Sequence, residues 1–155
     1  MTQMTSDIKD LLQANISYFS TASKDNKPNV VPVGLVEAIN DSEVVIVDIL
    51  FNKTRKNLIE NPHVALAITD IGRLQAYQLK GKAEFVASGP LFEKSFRIME
   101  ERSARRNKMM EERFKGIQDP VLKKKHLRII ELHKKLKPKA IVLVKIENIY
   151  STMQE

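Results

Sequence analysis

The chain has 155 residues, enough for one domain with a real core and too few for two full-sized ones. Apolar residues at 43% and charged residues at 29% mark a globular chain rather than a disordered one, and the absence of cysteine excludes disulfides, thiolate metal sites and a cysteine nucleophile. The net charge of +7 is concentrated: residues 93–139 carry 16 Lys/Arg against 7 Asp/Glu, a net of +9, and the remainder carries 10 against 12, a net of −2.

Met1 to Asp10 is polar and has neither the apolar centre of a signal peptide nor an Arg-rich transit character. No apolar run approaches the roughly 20 residues of a membrane helix. The expectation is a soluble, cytoplasmic protein with no membrane partner. Ser6 to Ala14 reads as a short helix with an Ile8, Leu11, Leu12 stripe, capped by Ser6 or Asp7. Ile16 to Thr21 alternates with period two. Lys24 to Pro28 is a turn cluster, and Asn29 to Leu35 is a Val-rich strand. Pro32 within it indicates an edge, a bulge or a ligand-facing position, because proline offers no ladder N–H. Asn40-Asp41 turns the chain into a strand at Val44 to Asp48.

Asn52 to Glu60 is a second short helix, capped by Asn52 or Thr54 and stopped before Asn61-Pro62. Strands follow at Val64 to Thr69 and Leu74 to Val86, separated by Asp70-Ile71-Gly72-Arg73, and Ser88-Gly89-Pro90 ends the region. Short strands at this spacing suggest a barrel. Leu91 to Phe114 and Val121 to Leu136 read as helices broken at Gly116 and Asp119-Pro120. In the second of them Leu122, Leu127, Ile130 and Leu132 are available to bury. Ala140 to Ile146 is a last strand, apolar on both faces until Lys145. It must return to the barrel, so the basic helical hairpin at about 91–137 is an insertion within a single 1–155 domain.

Asn52-Lys53-Thr54-Arg55-Lys56-Asn57-Leu58 places three cations and a hydroxyl at a helix start, where free N–H groups and the helix dipole favour an anion. A phosphate could accept from Thr54 and the amides while Lys53 or Arg55 supplies charge; the alternative is an N-cap followed by a solvated basic turn. Asn29-Val30-Val31-Pro32-Val33-Gly34 leaves backbone groups free and lets a flat molecule come close, or is a core strand with an edge proline. His126 and His133 lie seven apart without a third ligand, so no metal site is expected, and no catalytic triad is suggested by spacing. Residues 100–108 have almost no apolar side chains and are expected to be exposed in at least one oligomeric state. The hairpin is read as a solvated charged face, a lid, or a surface for an acidic partner; without Trp or Tyr, nucleic acid is an unlikely partner.

The run from Asn52 through Asn61-Pro62-His63-Val64-Ala65-Leu66 resembles the phosphate-binding helix and following strand of the pyridoxamine-phosphate-oxidase-like FMN-binding split barrels. Phe19 to Ala22 with Lys27 to Val33 resembles the first hairpin of that family. Gln78 to Glu84 and Ser88-Gly89-Pro90 resemble its later strand and exit turn. The similarity covers residues 15–92, with a weaker return at 140–151. It implies a homodimer with FMN at the subunit interface, and an FMN-dependent oxidoreductase acting on a small-molecule substrate or electron donor. Carried over by position, Lys53 and Thr54 hold the phosphate, assisted by Arg55 or Asn57. Asn29, Val30, Val31, Pro32 and Val33 line the ring through backbone contacts. Gln78 is a further contact, and Asp48, Ile49, Leu50 and Phe51 lie near the ring or ribityl chain. The family also includes members that bind F420 or haem. True pyridoxamine-phosphate oxidases carry additional basic residues and a characteristic C-terminal segment for the substrate phosphate, a pattern not found after residue 140, which argues against pyridoxamine phosphate as substrate.

The expected fold is therefore mainly β: a six-stranded antiparallel split β-barrel with a helical hairpin before the last strand. The alternatives to an oxidoreductase are a non-catalytic FMN carrier or electron-transfer module, and a basic interaction protein on a cofactor-free barrel.

Overall fold

A computed structural model describes residues 2–48, 50–135 and 138–153, apart from the side chain of His133. Met1, Ile49, Leu136-Lys137, onto which the expected second helix runs at Leu136, and Gln154-Glu155 lie outside the described residues. The elements are α1 (Ser6–Ala14), β1 (Ser17–Ala22), β2 (Pro28–Val33), β3 (Val36–Ala38), β4 (Glu43–Asp48), α2 (Lys53–Glu60), β5 (His63–Asp70), β6 (Gln75–Val86), α3 (Pro90–Lys115), α4 (Pro120–Lys135) and β7 (Ala140–Ser151). The strands form one antiparallel sheet in the order β2-β1-β5-β6-β7-β4-β3.

There are seven strands where the sequence suggests six. The apolar run from Asn29 breaks at Gly34-Leu35, and the three residues that follow pair with β4 as β3. A strand this short is below the length at which alternation is readable. The break also sets the shape of the sheet. Strands β2 and β3 are its opposite edges, yet only Gly34 and Leu35 lie between them. Three Cα steps span at most about 11 Å, whereas the edges of a flat seven-stranded sheet would lie roughly 28 Å apart. The sheet must curl until its edges nearly meet, which makes the split barrel.

Inside the barrel, Phe19, Leu66 and Leu79 lie in register across β1, β5 and β6 and are all buried, with Val44 and Ile46 of β4 and Val142 and Val144 of β7 in the same core. Helix α1 joins that core through Ile8, Leu11 and Leu12. Its N-cap is Thr5, without a side-chain bond, rather than Ser6 or Asp7. Outside the barrel, Val45, Val47, Ile141 and Leu143 pack on Met99 of α3. This second cluster explains why β7 is apolar on both faces: one face lines the barrel and the other is covered by a helix. Strand β7 continues to Ser151, five residues beyond the apolar run, because it pairs with β6 along its length. The pairing slips between Lys80 and Gly81, where a Cβ on residue 81 would lie 1.9 Å from the Lys145 carbonyl oxygen.

The helical hairpin departs from two expectations. Residues 100–108 are not uniformly exposed. Arg102 donates to the Val36 carbonyl and to Glu37 Oε2, both at 2.7 Å, and to the Gln13 carbonyl at 3.0 Å, strapping α3 to β3 and α1. Packing here is polar, so an apolar count does not register it. Conversely, Ile130 is buried but Leu122, Leu127 and Leu132 of α4 remain 39–55% exposed, because α4 leans mainly on α3, with the His126 ring tilted against Phe114 at 4.4 Å between ring centroids. Among the described residues no helix is long and apolar enough to cross a membrane.

Candidate functional site

Four polar side chains meet where α2 packs on β1 and β2. Asn29 Nδ2 donates to Thr54 Oγ1 at 3.1 Å and to Thr21 Oγ1 at 3.3 Å, and Asn57 Nδ2 donates to Thr21 Oγ1 at 3.0 Å. Thr21, Thr54 and Asn57 are buried, which is tolerable because each is paired. The side chain of Thr54 therefore joins the helix to the barrel instead of capping it, and Asn52, the N-cap, makes no side-chain bond either. Among the described residues no acceptor takes the Thr54 hydroxyl proton.

A second set of contacts fixes the turn into α2. The carboxylate of Asp48, fully buried at the end of β4, accepts from the Phe51 N–H at 3.1 Å and from Arg55 Nε at 2.8 Å, with Arg55 Nη2 closing the pair. The Arg55 guanidinium also sits 4.4 Å above the Phe85 ring, and Phe51 stacks on Phe19 at 6.0 Å. Arg55 and Asn57 are thus engaged within the protein, while Lys53 and Lys56 are exposed on a helix whose first turn holds no acid.

Strand β2 is an edge, as Pro32 suggests, and alternates in exposure: Asn29, Val31 and Val33 turn inward, while Val30 and Pro32 face solvent. On the same outer face are Tyr18, opposite Pro32, then Ala67, then Gln78. Gln78 lies three strands away from β2, roughly 14 Å, so the fold brings together Asn29, Thr54 and Asn57 on one side and Asp48, Phe51 and Arg55 on the other, but not Gln78. His63 is bonded to Asn61 at 3.1 Å and His126 to the Leu122 carbonyl at 2.8 Å. Among the described residues no three His, Asp or Glu side chains converge on a metal position.

A cavity of about 370 Å³ lies between the barrel and the hairpin. Its floor is the Pro32–Leu35 link with Ile46, Val47, Leu50 and Phe51, and its roof is Arg106, Asn107, Met110, Ile129 and Ile130. Its lining is otherwise apolar; burial, then the neighbouring Arg102, pulls Arg106 below its ordinary pKa. Neither Arg106 nor Asn107 stands out in the sequence as a site residue; Arg106 belongs to one of several basic pairs. The signal present is a helical stripe through Met99, Arg102, Arg106, Asn107 and Met110, with polar residues in apolar positions.

Known proteins agree with this architecture. A curated relative, an uncharacterised protein of Methanocaldococcus jannaschii, is 35% identical over 91 residues, a match that spans 57% of this chain and 60% of the relative. The crystal structure of HupZ from Group A Streptococcus superposes with a TM-score of 0.69 at 18% identity, covering 97% of this chain and 95% of that one. An FMN-binding protein of Syntrophomonas wolfei superposes with a TM-score of 0.64 at 14% identity, covering 95% and 84%. Structures of the same fold include an F420 reductase and the haem storage protein HutZ of Vibrio cholerae. At these identities the structural likeness shows the fold alone. The sequence model for pyridoxamine 5'-phosphate oxidase, however, matches residues 4–153, nearly the whole length and including the helical hairpin, and the chain belongs to that family of split barrels.

Proposed function

We propose that this chain is an FMN-dependent oxidoreductase acting on a small molecule, one domain per subunit and a homodimer with FMN at the subunit interface. The Asn29–Thr54 hydrogen bond carries the reading. It ties the exposed edge strand β2 to the first turn of α2, so a surface for a flat ring and a set of free helix amides stand at a fixed separation, as a phosphorylated ring system requires. Lys53, the Thr54 hydroxyl proton and the first-turn N–H groups fit the phosphate; Lys56 adds charge. Arg55 and Asn57 hold the shape of the site through Asp48 and Thr21. The backbone of Asn29 to Val33 and the Phe51 corner fit the ring. Bound FMN would supply the electron chemistry, and the protein would orient it and exclude water.

The homodimer is supported by the outer face of β1 and β2, where Ile16, Tyr18 and Val30 are 52–59% exposed beside Pro32. An apolar patch of this kind on a sheet marks an interface. Gln78 lies on the same face, which would bring it toward the partner's cofactor. F420 is a second reading, since it presents the same phosphate-on-flat-ring chemistry and one structure of this fold is an F420 reductase.

The test is the visible spectrum of the purified protein, with heat release and identification of any cofactor, alongside sedimentation velocity. A yellow dimer releasing FMN is the expected result. A colourless protein that fails to take up added FMN refutes the reading, and uptake of F420 or haem instead assigns the site to that cofactor.

A further inference from the structure

We infer that the cavity under the helical hairpin is a binding site for a small apolar monoanion, a carboxylate or sulfonate on a hydrocarbon or aromatic body, held by Arg106. The two arginines one turn apart on α3 differ in what they do. Arg102 is consumed by Glu37 and two backbone carbonyls. Arg106 has no carboxylate partner among the described residues; its one hydrogen bond is a long one, 3.4 Å to Ser103 Oγ. It is nonetheless half-buried and lines the cavity, where among the described residues it is the one charged residue and Asn107 the one other polar side chain. A buried cation without a counterion is costly, and a carboxylate accepting from the guanidinium removes that cost. The remaining walls, Val47, Leu50, Phe51, Met110 and Ile130 among them, offer no donor or acceptor from their side chains, so the rest of the ligand must be apolar. A volume of about 370 Å³ suits a body of one or two rings. Gly34 lies beside the guanidinium, with Nη1 3.6 Å from where a Cβ would stand.

The cavity shares Pro32, Val33 and Phe51 with the surface assigned to the flavin ring. That its occupant is the flavin's reaction partner rests on the FMN reading; that the anion binds does not.

The experiment is calorimetric titration of the purified full-length protein with 2-naphthoate and with its neutral isostere 2-naphthamide, and with FMN separately. The wild type should prefer naphthoate by at least about tenfold. Arg106→Met should bring that ratio to about one while leaving naphthamide binding intact, Arg106→Lys should keep part of it, and Met110→Trp should weaken both ligands by filling the cavity. Retained naphthamide binding shows that the Arg106 variants are folded. A wild-type ratio near one, or an unchanged ratio in Arg106→Met, overturns the inference. So does an Arg106→Met variant that loses FMN but not riboflavin, since Arg106 would then serve the flavin phosphate. A protein that keeps the naphthoate preference but never binds FMN supports the anion site and refutes the flavin reading.

Discussion

Gly81→Ala meets the closest contacts of any described glycine given a Cβ. At the slip between β6 and β7 the added Cβ would stand 1.9 Å from the Lys145 carbonyl oxygen and 2.8 Å from its carbon, with Ile146 Cα at 3.1 Å. All three are backbone atoms, so no side chain can turn aside. Restoring an ordinary contact of about 3.5 Å requires the strands to part by roughly 1.5 Å. Overpacking of this kind costs about 1–3 kcal/mol, and the separation breaks about two neighbouring ladder bonds at about 1 kcal/mol each. The expected loss is about 3–5 kcal/mol, a large share of the roughly 5–15 kcal/mol that holds a domain folded. In a chain of this length it lowers Tm by about 10 °C. Urea unfolding followed by far-UV circular dichroism measures it, with Gly116→Ala as control, because there the nearest atom is 3.7 Å away and the change should stay within about 0.5 kcal/mol. A Gly81→Ala protein less than about 1 kcal/mol below wild type, with an unchanged denaturant slope, would refute the reasoning.

Four further outcomes are expected. Replacing Lys53 and Thr54 together with alanine should weaken FMN at least about tenfold more than riboflavin, which lacks the phosphate; equal losses by fluorescence titration would sink the phosphate assignment. Asp48→Asn should cost about 2–3 kcal/mol in chemical unfolding, discounted because Arg55 is one-third exposed. Arg102→Met should cost about 2–4 kcal/mol, since it removes the cation paired with Glu37, leaving that carboxylate only the Gln13 amide, and takes a donor from two carbonyls, and Glu37→Gln added to it should recover part of the loss; full additivity would argue that the pair does not interact. Tyr18→Glu, which places a charge on the exposed sheet face, should shift sedimentation toward the monomer.

The elements most legible in the sequence are those whose period is uncontested. Ile8, Leu11 and Leu12 give α1 its observed span, and the alternation from Ile16 with the turns at Asp25-Asn26 and Ile71-Gly72 locates β1, β5 and β6 to within about a residue. What escapes is set by tertiary contact. Strand β3 has three residues and exists because β4 is there to pair with it. The tail of β7 carries Lys145, Glu147 and Asn148 yet is a strand, since β6 offers a partner. The helix and edge strand expected in the candidate site are both present, but only folding reveals that Arg55 and Asn57 are already bonded within the protein. The cavity was least legible, because Arg106 and Asn107 occupy a helical stripe in which polar residues read as solvated.

The position of β7 has a consequence for the order of assembly. Residues 140–151 supply the strand that joins β6 to β4, and Val44 pairs with Val144, one hundred positions further along the chain. During synthesis the facing edges of β4 and β6 stay unpaired until residues 140–151 have been made, and the long loop must then close before any of that pairing is gained. Closure of this barrel thus waits for β7, and the interval before β7 arrives is when the exposed strand edges are most open to pairing with another chain.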